Sequence, residues 1–447
     1  MLEDLYALGD RVVARAKPGE QIEAIVVSET DTEVRVFDGD VEAFTSATSR
    51  GIGIRVIHDQ RQGFAWAGTL DPDIIDSTLN EARDNATFGS IDPDLDLAEP
   101  DGVPMAELVL YDESVENFAT DDKIALALEL EAMTKDRDPR VMLVESVDYA
   151  DSVGHGVVVS TKGIRIGGQD SGSYCTATVI AGGEDETQVG FGYSVDRDPG
   201  KLDLDHASQM SVERSTRLLG AIKPETERLT VVLDPMVTAQ FLGIIGSTMS
   251  GEAMLKGRSL FADRLGDTVA AATITLVDDP TNPKAFTASE ADGEGLATRR
   301  NVLIDQGRLD KFVHNSYTGR RLNTASTGNA VRGFSSTPSV GTIALSLVPG
   351  ERSQADMIAS IDNGVLIQGV SGLHSGVNPV SGDFSTGADG LRIRNGELAE
   401  PLREFTIGST LQRMLLDVLE VGGDIEWLPS SAAGLSLTVG DITLSGA

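Results

Sequence analysis

Histidine and cysteine are scarce in this sequence, and their scarcity restricts the chemistry that the chain can perform. Its 447 residues include five histidines, and no two of them fall within one helical turn or within the short spacing of a sequence-local metal site. Zinc sites usually take at least one pair of ligands from such a local motif. The spacing therefore argues against a self-sufficient zinc peptidase, and we interpret each histidine as structural.

Disulfides, membrane spans and targeting segments also have no support in the sequence. The single cysteine, Cys175, can form no intramolecular disulfide, which fits a reducing compartment. The longest apolar stretches, such as 273–277 and 364–370, are far shorter than the roughly 20 residues that cross a bilayer. The N-terminus opens with Glu3 and Asp4 rather than with a basic segment. We expect a cytoplasmic protein that has no membrane partner.

Basic residues are few compared with acidic ones. The sequence contains 36 lysines and arginines but 70 aspartates and glutamates, which gives a net charge of -34. No basic cluster is dense enough to overcome this negative background. A field of this sign repels phosphate groups, so we expect no nucleic acid partner.

The common hydrolase and nucleotide-binding motifs are missing as well. No Gly-x-Ser-x-Gly pentapeptide occurs, and the glycine-rich run 369–376 has no lysine of a phosphate-binding loop. The tripeptide 170–172, Asp-Ser-Gly, lacks the apolar strand that precedes it in aspartic proteases, and we interpret it as a turn. We also interpret the acidic pair Asp278 and Asp279 as turn residues, with cation binding or acid–base chemistry as the alternative.

The chain is long and apolar enough to form two domains, because 447 residues exceed the size of a typical single core and 40% of them are hydrophobic. We place an N-terminal α+β domain at 1–225 and a C-terminal, mainly β domain at 226–447. The sequence Lys-Pro-Glu at 223–225 marks the boundary.

The first domain is predicted to contain an internal repeat, at about 1–90 and 118–222. Each half is expected to form a helix, an antiparallel sheet of about four strands and a second helix, and the two sheets are expected to pack side by side. In the first half, Asp71 and Pro72 mark the start of the second helix. In the other half, Thr120 is the predicted helix cap. The segment 189–193 of the second half parallels 63–66 of the first.

The second domain begins with the apolar run 229–233, a predicted buried strand. Asp234 and Pro235 then mark the start of a glycine-rich helix. Many short strands separated by turns follow, which is typical of a β-sandwich or barrel. One late helix is predicted from its apolar stripe, capped by Ser409 or Thr410 and ended by the glycines at 422–423. The stripe consists of Leu411, Met414, Leu415, Val418 and Leu419.

Short motifs follow one another along the second domain, at 229–235, 251–252, 256–259, 277–280, 301–307, 316–317, 326–329, 375–379, 382–385 and 395–397. In this order they resemble the motifs of the TldD/PmbA family, whose members have also been called modulators of DNA gyrase. The resemblance covers essentially the whole chain and is strongest from about 229 to 408.

The family resemblance also implies which of its two branches this chain is similar to. The TldD branch resembles a zinc peptidase with His-Glu-x-x-x-His on the helix after the 229–233 strand and a cysteine near the C-terminus. By motif alignment Gly243, Ile244 and Thr248 stand at the positions of the two histidines and the glutamate, and no cysteine occurs in 429–447. The chain is therefore similar to the TldE/PmbA branch.

The resemblance implies a non-catalytic subunit that binds no cofactor itself and pairs with a TldD-type subunit holding zinc. Such a complex admits unfolded peptides and degrades or processes them. Ser375, Asn378 and Asp383 are the polar residues that we expect to line the peptide path, with turn formation as their alternative role. Two other hypotheses remain open at this point: a stand-alone homodimeric peptide-binding protein, and an independent hydrolase with a nonlocal site.

Overall fold

The structure is a computed structural model that describes residues 1–446. In the first half of the chain, a short 3-10 helix at Pro199–Lys201 accompanies the longer elements. These are, in chain order, α1 Leu2–Val13, β1 Gln21–Phe37, β2 Asp40–His58, β3 Arg61–Ala67, α2 Pro72–Phe88, α3 Ser114–Asn117, α4 Thr120–Asp136, β4 Val141–Ser160, β5 Arg165–Gly183, β6 Glu186–Asp196 and α5 Leu204–Thr216.

The six strands of this half form one continuous antiparallel sheet in the order β3-β2-β1-β4-β5-β6. A helix, three strands and a second helix follow one another twice along this half. The two sets join where β1 pairs with β4, from Glu23 opposite Ser160 to Val36 opposite Val147. The sequence predicts about four strands in each set, whereas three are present, because strands such as β2, with 19 residues, run without a break. The two sets lie side by side within this one continuous sheet.

The long strand β2 explains why the number of strands differs from the predicted number. Its residues 40–50 are exposed and show no apolar alternation, so they resemble a loop in the sequence. Gly51 and Gly53 also suggest a turn, yet both lie inside the strand. There Phe334 packs so closely that a Cβ at either glycine would clash with it. Long-range packing, rather than local chain reversal, accounts for these glycines.

Helices cover one face of the sheet, and glycines on the edge strands let them approach closely. α2 packs against β3 and α5 packs against β6. A Cβ at Gly63 would clash with the backbone of α2, and a Cβ at Gly190 or Gly192 would clash with the backbone of α5. The parallel between segments 63–66 and 189–193 therefore has a packing cause.

The starts of two predicted helices differ in how they are capped. Asp71 caps α2 as predicted, by accepting hydrogen bonds from the amides of Asp73 at 2.9 Å and Ile74 at 3.2 Å. Thr120 is not the cap of α4, because the helix already includes it, and Ala119 before it provides no side-chain bond.

Two buried clusters lie between the helices and the sheet. One lies under α1 and α2 and includes Leu5, Ile22, Ile52, Ile75 and Leu79. The other lies under α4 and α5 and includes Leu130, Val147, Tyr149, Cys175 and Ala207.

The opposite face of the sheet contacts segments from the second half of the chain. Buried Glu23 accepts hydrogen bonds from Arg55 at 3.1 Å and from Arg332 at 2.6 Å. Phe286 packs over Gly172 of β5. Since Asp170 to Gly172 lie within β5, the turn predicted for this tripeptide is wrong.

The second half contains a larger number of short elements. These are, in chain order, β7 Glu227–Leu233, α6 Pro235–Thr248, α7 Gly251–Leu255, β8 Leu276–Asp278, β9 Asn301–Asp305, β10 Arg308–Leu309, α8 Ser316–Arg321, β11 Ala330–Val331, β12 Ser339–Val340, β13 Leu345–Leu347, α9 Gln354–Ala359, β14 Asn363–Ser371, α10 Leu373–Gly376, β15 Asp383–Arg394, β16 Glu397–Thr410, α11 Leu411–Leu416, β17 Val418–Val421 and β18 Leu437–Ser445.

Five of these strands close into a barrel in the order β16-β15-β14-β7-β18, because β16 also pairs with β18. Most neighbours are antiparallel, whereas β7 and β14 are parallel. A smaller sheet has the order β10-β9-β8-β13. The predicted α+β class is therefore confirmed, and of the two architectures predicted for this half, sandwich or barrel, the structure contains a barrel.

The late helix is shorter than its apolar stripe predicts. Thr410 caps α11 by accepting a hydrogen bond from the amide of Arg413 at 3.2 Å, and the helix ends at Leu416. Val418 and Leu419 of the predicted stripe instead belong to β17, where Val418 pairs with Val439 of β18. Strand pairing of β-branched residues outweighs their helical spacing here.

Within residues 1–446, no helix is both long enough and apolar enough to cross a membrane.

Candidate functional site

The glycine-rich helix α6 is fixed by its start and by its buried stripe. Asp234 accepts a hydrogen bond from the amide of Met236 at 3.2 Å, and Pro235 occupies the first turn, where a missing N–H costs nothing. The predicted stripe is buried in the core that fills the barrel region, and it consists of Val237, Phe241, Leu242 and Ile245. The opposite side of the helix is left free to form a site.

The three positions that replace the zinc motif have different environments. Gly243 has open space around it, since a Cβ there would meet no atom within 4 Å. Ile244 is half-buried and packs against the core. Thr248 is buried, and its hydroxyl donates to the carbonyl of Ile245 at 2.7 Å. These residues offer no nitrogen or carboxylate ligand, so they do not fit zinc.

Gly243 opens onto a cavity of about 490 Å³ between the first sheet, α6 and the segment 428–432. None of its lining residues carries a formal charge. They are Tyr174, Thr176, Phe191, Tyr193, Val195, Met236, Ala239, Gln240, Gly243, Leu428, Pro429, Ser430, Ser431 and Ala432. An uncharged, mostly apolar concavity of this volume is typical of a binding site.

One wall of the cavity comes from alternate residues of β5 and β6, because side chains in a strand point to opposite faces in turn. Phe191 and Tyr193 face the cavity with ring centroids 6.2 Å apart. Gly190 and Gly192, which alternate with these two residues along β6, face α5 and permit its close approach. The aromatic wall therefore rests on a tightly packed helix.

A polar network ties this wall to α6. The hydroxyl of Tyr193 donates to Glu426 at 3.0 Å, and burial raises the pKa of Glu426. Beside it, buried Arg214 of α5 donates to Asp234 at 3.1 Å. Gln368 donates to the carbonyl of Arg214 at 2.8 Å. These bonds fix the position of α5 against the first turn of α6, and thus the shape of the cavity.

The three predicted peptide-binding residues lie elsewhere, on and after α10, and none of them lines the cavity. Ser375 donates to the carbonyl of Gly372 at 3.2 Å. The structure brings Asn378 and Asp383 together, because the amide of Asn378 donates to the carbonyl of Asp383 at 2.9 Å.

Their side chains take part in local bonds as well. Asn378 accepts from the amides of Val380 at 2.9 Å and Ser381 at 3.2 Å, and Asp383 accepts from the Ser381 hydroxyl at 2.7 Å. These are the bonds of turn-forming residues, which was the alternative interpretation. All three residues remain exposed to solvent.

Other titratable groups have structural surroundings. Asp278 is not a turn residue, because it lies on β8 and accepts hydrogen bonds from Asn329 and from the amides of Ile343 and Ala344. Burial raises its pKa to about 6. Burial also lowers the pKa of His314 to about 4. Within residues 1–446, no group of three or more His, Cys, Asp or Glu side chains is arranged to hold a metal ion.

The aromatic wall of the cavity was missed from the sequence. Its signal is the alternation of Phe191 and Tyr193 with glycines, which marks a strand with one bulky face. The cavity combines that strand with α6 and with Leu428 and Pro429, and sequence spacing does not reveal that these distant segments meet.

Comparison with known proteins places this architecture in a family. The sequence matches the PmbA/TldA metallopeptidase domain 1 over residues 22–86, the central domain over 113–219 and the C-terminal domain over 226–446. The chain therefore belongs to the TldD/PmbA family of metallopeptidase-related proteins, as its motifs predict.

Individual relatives agree with this assignment. Metalloprotease PmbA of Escherichia coli O157:H7 is 26% identical over 410 residues, which span 90% of this chain and 88% of the relative. A Thermotoga maritima protein named as a modulator of DNA gyrase has a crystal structure that superposes with a TM-score of 0.91 at 25% identity, covering 98% of this chain and 99% of that one. TldE from Thermococcus kodakarensis gives a TM-score of 0.90 at 23% identity, covering 99% of each chain, and supports the fold alone.

Proposed function

We propose that this chain is a non-catalytic TldE/PmbA-type subunit of a metalloprotease complex. In that complex it binds unfolded peptides and helps a TldD-type zinc subunit to degrade or process them. The proposal rests on the family membership together with one observation, the free side of α6. Gly243 opens there to an uncharged cavity, at the position where the peptidase branch has a metal-binding histidine by the motif alignment.

The surroundings of α6 support a binding role without catalysis. Gly243, Ile244 and Thr248 offer neither a zinc ligand nor a carboxylate that could activate water. The adjacent concavity remains, and apolar concavities bind ligands by excluding water from apolar surface. In this proposal zinc belongs to the partner subunit, and this chain requires no cofactor.

Co-expression tests the proposal directly. The chain is produced with the His-Glu-x-x-x-His protein from the same genome, and the native mass, the zinc content and the cleavage of an unfolded peptide are measured. We expect the two proteins to co-purify, with zinc in the partner and cleavage that requires both subunits. A partner variant without the motif glutamate is the control, since it should assemble but not cleave.

The proposal would be overturned if the two proteins failed to co-purify and the partner cleaved peptides equally well alone. A homodimer that binds peptides, in a genome without any His-Glu-x-x-x-His relative, would instead identify a stand-alone peptide-binding protein. Stoichiometric zinc and peptide cleavage by the pure chain would identify an independent hydrolase.

A further inference from the structure

We propose that the apolar cavity and the outer edge of β6 together bind one extended peptide segment. A single bulky apolar side chain of the peptide fills the cavity, and basic residues flank it on both sides. This inference rests on the proposed peptide-binding function and deepens it, because it specifies which segments of an unfolded chain are selected and where they bind.

The first support is the open edge of β6, the last strand in the order of the first sheet. β6 pairs with β5 from Ser173 opposite Asp196 to Gly183 opposite Glu186. Across the described chain, no backbone hydrogen bond joins the other side of β6 to a further segment. Its outward N–H and C=O groups can therefore pair with an added strand, which holds a peptide independently of its sequence.

The second support is the direction in which β6 presents its side chains. Val189, Phe191 and Tyr193 share one face, and the last two line the cavity. Val189 and Phe191 are 57% and 37% exposed, so an apolar strip continues from the cavity along the strand. A peptide paired with β6 directs every second side chain to this same face. One of these side chains then lies at the cavity.

The third support is the absence of charge in the cavity, which selects the side chain that enters it. None of the residues lining the 490 Å³ space is ionisable at neutral pH. A charged side chain would lose its hydration there without gaining a partner, whereas an aromatic or long aliphatic side chain would gain by leaving water.

The fourth support is the charge at the two ends of β6. Glu184 and Asp185 are exposed in the turn before the strand, and Asp196 ends it. A peptide that extends along β6 brings its flanking residues towards these carboxylates. Lysine or arginine at those positions would be attracted and glutamate would be repelled, with a strength that falls as salt is added.

Peptide binding to the pure full-length chain tests the inference. The probe is a fluorescent, unstructured peptide with one central phenylalanine and two lysines at each end, followed by anisotropy. Replacing that phenylalanine with alanine should weaken binding by roughly tenfold or more, since the buried apolar area is lost. Glutamate flanks, or N-methylation of the peptide amides that pair with β6, should also weaken it.

Two variants on α6 provide a matched pair. Gly243→Leu places a side chain in the open space of the cavity, and a helical glycine with no neighbour within 4 Å tolerates this change. Ser247→Leu introduces the same side chain one turn later, at an exposed residue outside the cavity. Gly243→Leu should weaken binding by about tenfold or more, whereas Ser247→Leu should leave it unchanged.

Equal affinity for the phenylalanine and alanine peptides, or an unchanged affinity of the Gly243→Leu variant, would overturn the inference. If the chain still co-purified with its zinc partner and supported cleavage, the proposed function would stand and the peptide would bind elsewhere. If neither the chain nor the complex bound any peptide, the proposed function would fail together with this inference.

Discussion

Replacing Asp234 is expected to destabilise the protein strongly, because this carboxylate has two roles. It caps α6 through the amide of Met236, and it pairs with Arg214 at 3.1 Å. The side chains of Arg214 and Asp234 are only 9% and 10% exposed. Burial raises the pKa of Asp234, and the nearby charge of Arg214 only partly offsets this effect, so the net pKa stays above its ordinary value. The cost of removing this pair from water is therefore large.

Three substitutions separate the two roles. Asp234→Asn keeps an acceptor for the cap but removes the carboxylate that is hydrogen-bonded to buried Arg214, and breaking a buried pair in this way typically costs about 3–5 kcal/mol. Asp234→Ala should cost about 1 kcal/mol more, because the cap is also lost. The double variant Arg214→Met with Asp234→Asn removes both members of this buried ion pair. It should recover most of the loss, to within about 1–2 kcal/mol of the wild type.

Urea unfolding followed by circular dichroism measures these differences, with the free energy of unfolding compared at a constant denaturant slope. The reasoning would be refuted if Asp234→Asn were within about 0.5 kcal/mol of the wild type, the range of ordinary surface substitutions. A double variant no more stable than Asp234→Asn would equally contradict the role assigned to the buried charge.

Three further predictions concern other sites. Gly192→Ala should destabilise the protein by about 1–3 kcal/mol, because the added Cβ would clash with the backbone of Ala207. Gly243→Ala should stabilise it by about 0.5–1 kcal/mol, because the added Cβ meets open space. Urea unfolding that ranks the two variants in the reverse order would contradict this prediction. Burial raises the pKa of Asp292 from 3.8 to about 7. The folded state then retains a proton that the unfolded chain releases, so stability should fall from about pH 4 to pH 7, and the Asp292→Asn variant should show a smaller slope. Cys175 is buried and its pKa is raised to about 12, so a thiol reagent should label it only on unfolding, and rapid labelling under native conditions would count against this.

Sequence patterns correctly predicted those helix starts that depend only on neighbouring residues in the chain. Asp71 and Asp234, each followed by proline, begin helices as expected, and Thr410 begins the late helix. A cap acts within one turn of chain, so its pattern can be read directly from the sequence. The density of strands and turns likewise predicted a sandwich or barrel, because it does not depend on knowing the partner of each strand, but it could not decide between the two.

Features that depend on distant partners could not be predicted in this way. Gly51 and Gly53 suggest a turn until Phe334 is known to lie against them. Val418 has helical spacing with α11 but belongs to a strand, because β18 pairs with it. The cavity is the clearest case, since Gly243 and Phe191 become neighbours only when the first sheet packs against α6.

The position of β18 has a consequence for synthesis of the protein. β18 lies between β7 and β17 and also pairs with β16, so it completes the barrel. Until residues 437–445 have left the ribosome, both β7 and β16 keep an unpaired edge, and such edges are prone to pair with other chains. Closure of the barrel therefore waits for the last of the described strands. A nascent chain that stalls before β18 should depend on chaperones, whereas the first sheet already has all of its strands.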